Sequence, residues 1–129
     1  MATILVIDDD VHMRRILARM LSREHRVIEA EDGSVGVARF NEYTPDLVIT
    51  DILMPKKEGI ETIRELRCLS PAVRILAISG GGHIHKTDYL DMAGKLGADI
   101  TLTKPVMAAE LRAAVETLLS LSQAGSCTS

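Results

Sequence analysis

The sequence predicts an α/β fold built on a five-stranded parallel sheet, and two observations carry that prediction. Five short runs rich in Ile, Val and Thr recur along the chain: Thr3–Ile7, Arg26–Ala30, Leu47–Thr50, Arg74–Ile78 and Asp99–Thr103. Three of them are nearly unbroken apolar stretches, the pattern of strands covered on both faces. Their starts, at 3, 26, 47, 74 and 99, are spaced by 23, 21, 27 and 25 residues. Each interval has room for one helix and its connections, which is the rhythm of βαβ units.

The helices follow in order. Met13, Ile16, Leu17, Met20 and Leu21 share one helical face, behind Asp10 as a natural N-cap. A second helix is predicted around Ser34–Tyr43, ending before Pro45, and a third around Ile60–Leu69, ending before Pro71. The residue preceding a proline is disfavoured in the α region. The fourth, about Thr87–Leu96, has the weakest signal: it is short and contains Gly94, and an interior glycine costs about 1 kcal/mol relative to alanine. In the fifth, Leu111, Val115, Leu118 and Leu119 line one face. The result is one domain over residues 1–122, with the small polar stretch Gln123–Ser129 expected to be a flexible tail.

Composition narrows the function. The 129 residues are 47% hydrophobic and 26% charged, a globular balance that excludes wholesale disorder. Fifteen Lys and Arg against eighteen Asp and Glu give a net charge of −3, which offers no overall field to collect nucleic acid or anionic lipid. With Phe40, Tyr43 and Tyr89 as its only aromatics, the chain lacks a base-stacking platform. The start MATILVIDDD has no basic segment ahead of its apolar run, unlike a secretory leader. No stretch approaches the ~18 apolar residues of a membrane span. Cys68 and Cys127 match no metal-ligand spacing. No bridge between them is expected, and a reducing cytoplasm is the natural compartment.

Chemistry collects where the strands end. The first strand runs into Asp8, Asp9 and Asp10, the second into Glu31 and Asp32, the third into Asp51, the fourth into Ser79 and the fifth into Lys104. Open parallel sheets bind ligands beyond the carboxyl ends of their strands, where the strand order reverses. Several carboxylates, a hydroxyl and an ammonium therefore converge on one crevice. Clustered carboxylates repel one another and invite a hard divalent cation. Mg²⁺ is held by one or two of them together with water and phosphate oxygens. A carboxylate can also attack phosphorus to form an acyl phosphate. The moving phosphoryl group then needs positive charge and donors on its oxygens, which Lys104, Ser79 and loop N–H groups can supply.

Four motifs carry a family resemblance: Asp8-Asp9, Asp51-Ile52-Leu53-Met54-Pro55, Ser79-Gly80 and Lys104-Pro105. In this order and spacing the sequence resembles the receiver domain of two-component response regulators, over about residues 3–121. The resemblance implies a flavodoxin-like (βα)₅ three-layer sandwich with strand order 2-1-3-4-5. It implies that Asp51 is the phospho-acceptor, that Asp9, Asp51 and the Leu53 carbonyl ligate Mg²⁺, and that Asp8 assists through water. Lys104 would pair with a phosphoryl oxygen and Ser79 would hydrogen-bond to the phosphoryl group. The Lys104–Pro105 bond is usually cis in this family. The implied donor is a sensor histidine kinase or a phosphotransfer protein. The implied output surface is the fourth predicted helix, the fifth strand and the fifth predicted helix, on a monomer or a phosphorylation-dependent dimer that touches neither nucleic acid nor membrane. Such a domain is a switch that catalyses only its own phosphoryl transfer and dephosphorylation, and is not otherwise an enzyme.

The sequence departs from the family pattern at Thr101, where Tyr or Phe is usual, so no aromatic swing is expected. Leu53 and Gly81 stand at positions that tune phosphoryl lifetime in the family. Neither side chain can orient a water, which predicts slow dephosphorylation. A rival reading is an aspartate-nucleophile phosphatase of the haloacid dehalogenase type, using Asp8-x-Asp10 with Ser79 and Lys104. That family needs a further acidic pair after the lysine, and Pro105-Val106-Met107-Ala108-Ala109 stands there. Gly80-Gly81-Gly82 lacks the Gly-Lys-Ser/Thr of a phosphate loop and reads as a flexible loop. His83 and His85 have no ligand partner at metal spacing. Arg14, Arg15, Arg19 and Arg23 form a basic stripe on the first helix. They read as a solvated face that can also dock an acidic partner.

Overall fold

The structure, a computed structural model, describes residues 2–52, 58–79 and 97–128. Five strands are present: β1 (Thr3–Ile7), β2 (Arg26–Ala30), β3 (Leu47–Asp51), β4 (Arg74–Ser79) and β5 (Ile100–Thr103). All pair in parallel, in the order β2-β1-β3-β4-β5. Four helices are present among the described residues: α1 (Val11–Leu21), α2 (Gly33–Tyr43), α3 (Glu58–Leu69) and α4 (Ala108–Thr128). The last is the fifth helix predicted from the sequence. The helix predicted at Thr87–Leu96, the glycine triplet, His83 and His85 lie outside the described residues, as does Leu53.

The three layers follow from the two-residue period of a strand. Ile4 and Val6 of β1, Leu47 and Ile49 of β3, and Leu76 and Ile78 of β4 face one way. They pack with Leu17 and Leu21 of α1 and with Leu111, Val115 and Leu118 of α4. Leu5, Ile7, Val48, Ile75 and Ala77 face the other way, onto Phe40 of α2 and Ile63 and Leu66 of α3. Both faces are covered, which is why β1, β3 and β4 read as continuous apolar runs. On α1, Ile16 is 47% exposed. At about 100° per residue it lies at the rim of the arc centred on Leu17, so it escapes burial.

Local chemistry sets the helix ends. Asp10 caps α1, its carboxylate accepting from the His12 N–H at 2.9 Å and the Met13 N–H at 3.4 Å. Asp32 caps α2 by accepting from the Val35 N–H at 2.8 Å. Helix α2 stops at Thr44, whose φ of 44° is left-handed, directly before Pro45. Helix α4 continues to Thr128. Once a helix is nucleated, each added residue gains a hydrogen bond.

One guanidinium ties together the end of the sheet where the strands begin. Arg67, near the end of α3, donates from Nε and Nη2 to the Gly97 carbonyl, from Nη1 to the carbonyls of Pro71 and Val73, and from Nη2 to Asp99. Gly97 takes φ 118°, a conformation open to glycine. Asp99, expected as the first residue of the fifth strand, is instead a bridging group that accepts from the Ile75 N–H at 2.8 Å. The strand starts one residue later.

Candidate functional site

The opposite end of the sheet, where the strands finish, gathers the residues singled out in the sequence. Asp51 closes β3 with its side chain 5% exposed. Lys104 follows β5, and its Nζ lies 3.0 Å from Asp51 Oδ2. The Lys104 N–H donates to the Ser79 carbonyl at 2.8 Å, and Ser79 pairs in register with Thr103, so the buried Ser79 and Lys104 sit on adjacent strand ends. The Lys104–Pro105 bond is cis.

Asp8, Asp9 and Asp51 form a single acidic cluster, each offering an oxygen within 4.8 Å of the others. Parallel pairing of β1 with β3, Ile7 opposite Thr50, brings about this approach. Asp8 is buried and Asp9 exposed. Asp10, Glu31 and Asp32, also at strand ends, do not belong to the cluster: Asp10 and Asp32 are used as caps. Among the described residues the cluster offers three carboxylates, the oxygen ligands that a hard cation such as Mg²⁺ takes, and against the one charge of Lys104 they leave an excess of negative charge. These residues fit a divalent cation.

Charge crowding alone predicts a raised carboxyl pKa in this crevice. Asp8 is raised from 3.8 to about 6, but burial is the largest cause. The Asp10 N–H, donating to Asp8 Oδ1 at 2.9 Å, pulls it down, as does Lys104, while Asp51 and Asp9 push it up. Lys104 is raised above its usual range. Burial lowers it, and the hydrogen bond and charge of Asp51, with Asp8 and Asp10, outweigh that loss.

Two residues matter here that the sequence did not single out for this role. Arg14, assigned to the solvated stripe, is only 14% exposed and pairs with Glu29 of β2 at 3.0 Å; Arg15 and Arg19 are exposed as expected, while Arg23, also exposed, lies beyond the end of α1 at Leu21. Gly59, in the first turn of α3, lies against the end of β3. A Cβ there would come within 2.3 Å of the Asp51 carbonyl oxygen and 2.6 Å of that of Ile52. The opposing atoms are backbone, so Gly59→Ala must displace the strand end that carries Asp51. We predict a loss of about 1–3 kcal/mol, typical of overpacking, read from urea midpoints. An unchanged midpoint would show that α3 can back away freely.

Comparison with known proteins bears on this geometry. The family model "Response regulator receiver domain" matches residues 4–116. The chain is 34% identical over 118 residues to the chemotaxis protein CheY of Halobacterium salinarum, covering 91% of this chain and 96% of that one. It is 34% identical over 120 residues to the transcriptional regulatory protein CpxR of Klebsiella pneumoniae, covering 92% of this chain and 50% of that one. Among solved structures, a response regulator receiver domain protein from Clostridium thermocellum superposes with a TM-score of 0.88 at 31% identity, covering 95% and 98% of the two chains. NtrX from Brucella abortus superposes with a TM-score of 0.91 at 30% identity, covering 98% of this chain and 29% of that one. The chain belongs to the response regulator receiver family of two-component signal transduction, and its fold is flavodoxin-like. Among the described residues no helix is long and apolar enough to cross a membrane.

Proposed function

We propose that this domain takes a phosphoryl group from a histidine kinase or phosphotransfer protein onto Asp51 and thereby switches a partner. The observation that carries the reading is the buried Asp51 carboxylate held between Lys104 Nζ, at 3.0 Å, and the Asp8–Asp9 pair. A carboxylate oxygen of Asp51 attacks phosphorus as the P–N bond to the donor imidazole breaks. An acyl phosphate is left on Asp51 and the imidazole takes up a proton. Asp8, Asp9 and Asp51 would hold Mg²⁺, which when bound supplies positive charge to the phosphoryl oxygens. Lys104 presents its ammonium to the same oxygens, and Ser79, on the neighbouring strand end, meets them with its hydroxyl. The Leu53 carbonyl completes the ligand set that the resemblance implies.

The domain is then a cytoplasmic switch with no external substrate beyond its phosphodonor. Phosphorylation shifts a conformational population, read by a partner on the surface formed by the predicted Thr87–Leu96 helix, β5 and α4. The phosphatase reading, with Asp8 as nucleophile, requires Asp10 in the chemistry, whereas Asp10 is spent on capping α1.

The experiment is to expose the protein to a small acyl phosphate donor with Mg²⁺ and map the modified residue. Modification of Asp51 supports the reading, and modification of Asp8 overturns it. Lys104→Ala should still bind Mg²⁺ and still be labelled slowly, yet show none of the amide-exchange change that labelling induces in the wild type. A full exchange response in Lys104→Ala would remove Lys104 from the switch.

A further inference from the structure

We infer that Arg14 is a positioning residue for the cation site, acting through the peptide that joins Asp8 to Asp9. This rests on the assignment of Mg²⁺ to the Asp8–Asp9–Asp51 cluster. Arg14 lies on the first turn of α1, where its own N–H donates to the Asp10 carbonyl at 2.9 Å. Its side chain turns back toward the strand end. Nη1 donates to the Asp8 carbonyl at 3.0 Å, and Nε to Glu29 Oε1 at 3.0 Å.

The Asp8 carbonyl is half of the Asp8–Asp9 peptide unit. The residue's N–H is already tied to the Ala30 carbonyl at 3.1 Å, and its Oδ1 to the Asp10 N–H. With Arg14 on its carbonyl, Asp8 is held at three points, and the plane that orients Asp9 is fixed with it. Asp9 is exposed, so packing contributes little to holding it.

Glu29 gives the arrangement a second property. A cation beside the acidic cluster would compete with a divalent ion, but here the guanidinium charge is matched by a carboxylate on the neighbouring strand. The pair holds the loop rigid without adding net charge to the site. Lysine cannot replace it, because two directed donors must span a backbone carbonyl and a carboxylate at once.

Rigidity matters selectively. Mg²⁺ demands near-ideal octahedral geometry at short distance, whereas Ca²⁺ accepts longer and more flexible coordination. A loosened Asp8–Asp9 peptide should therefore weaken Mg²⁺ binding far more than Ca²⁺ binding. Outer partners of metal ligands are commonly worth roughly ten- to a hundredfold in affinity.

The test is calorimetric titration of wild type, Arg14→Met, Glu29→Gln and Asp9→Asn with Mg²⁺ alone and with Ca²⁺ alone. Arg14→Met, which keeps the aliphatic stem, should weaken Mg²⁺ binding by at least about tenfold and leave Ca²⁺ binding nearly unchanged. Glu29→Gln should weaken Mg²⁺ binding severalfold at low salt and recover at high salt, because it exposes the cluster to an unbalanced cation. Equal loss of both cations in Arg14→Met, or no loss of either, overturns the inference. If Arg14→Met does not fold, an unaltered Mg²⁺ affinity in Glu29→Gln overturns it instead. Asp9→Asn separates the two readings. If it loses Mg²⁺ while Arg14→Met and Glu29→Gln bind as wild type, only the role of Arg14 fails. If it binds Mg²⁺ as wild type, the cation site and the inference fall together.

Discussion

Asp51→Asn is expected to abolish labelling by a small acyl phosphate donor under conditions that fully modify the wild type. The amide is nearly isosteric with the carboxylate and can still accept from Lys104, so the fold and the lysine contact should survive. What it lacks is the nucleophilic oxygen, since an amide oxygen is too weak a base to attack phosphorus. The substitution also removes a negative charge and a cation ligand, so Mg²⁺ binding should weaken as well. Labelling must therefore be measured across a Mg²⁺ series that saturates the variant. Intact-mass analysis then reads the incorporated phosphoryl group directly. Persistent labelling at the wild-type level, or its transfer to Asp8, would show that the strand-one aspartates carry the chemistry.

The second large effect is on stability. Asp8 ionises near pH 6 in the folded protein against about 3.8 for its ordinary value. An acid whose folded pKa is raised holds more protons folded than unfolded. Metal-free stability should therefore fall as pH rises from about 3.8 to about 6 and stay level above. Two pKa units correspond to about 2–3 kcal/mol. Asp8→Asn removes this penalty, and its side-chain oxygen can still accept from the Asp10 N–H. In chelator at pH 8 the variant should be more stable than wild type by about 2 kcal/mol, with a flatter profile between pH 4 and 6. Mg²⁺ at a hundredfold excess over its dissociation constant should add about 2.7 kcal/mol to the wild type and much less to the variant. Asp9→Asn should give a smaller gain, because Asp9 is exposed and its charge is screened. The chain has no tryptophan, so urea midpoints should be followed by far-UV circular dichroism. A variant less stable than wild type in chelator would show that Asp8 is not a strained charge, and one that gains fully from Mg²⁺ would show that Asp8 takes no part in holding the cation.

The elements were legible where one residue decides one feature. Strands β1 and β2 match the runs Thr3–Ile7 and Arg26–Ala30 residue for residue, because apolar and β-branched side chains mark strands directly. Asp10 announced the start of α1 for the same reason, its carboxylate serving the next turn. The acidic cluster was legible because parallel topology places strand ends together, whatever the contacts along the way. Other features depend on reach across the fold. Arg14 sits in a run of arginines, and nothing in its neighbours reveals that it turns toward Glu29, fifteen residues on. Gly59 follows a glutamate at an ordinary helix start, and only the approach of α3 to the Asp51 carbonyl shows why a side chain is excluded. Burial, more than repulsion, governs Asp8, and burial is a property of the assembled layers.

The two ends of the sheet also differ in how far their local demands agree. At the end where β4 and β5 begin, the N–H donors of Arg67 meet carbonyls and a carboxylate. At the other end three carboxylates face one another across a few ångströms, a frustrated arrangement that Lys104 relieves in part and a bound cation would relieve further. Substitution at the first end can do little but subtract stability. Substitution at the second can add it, as is common where function opposes stability. Breeding this domain for thermal endurance alone would therefore erode its acidic corner first, and the hardiest descendants would be those that no longer signal.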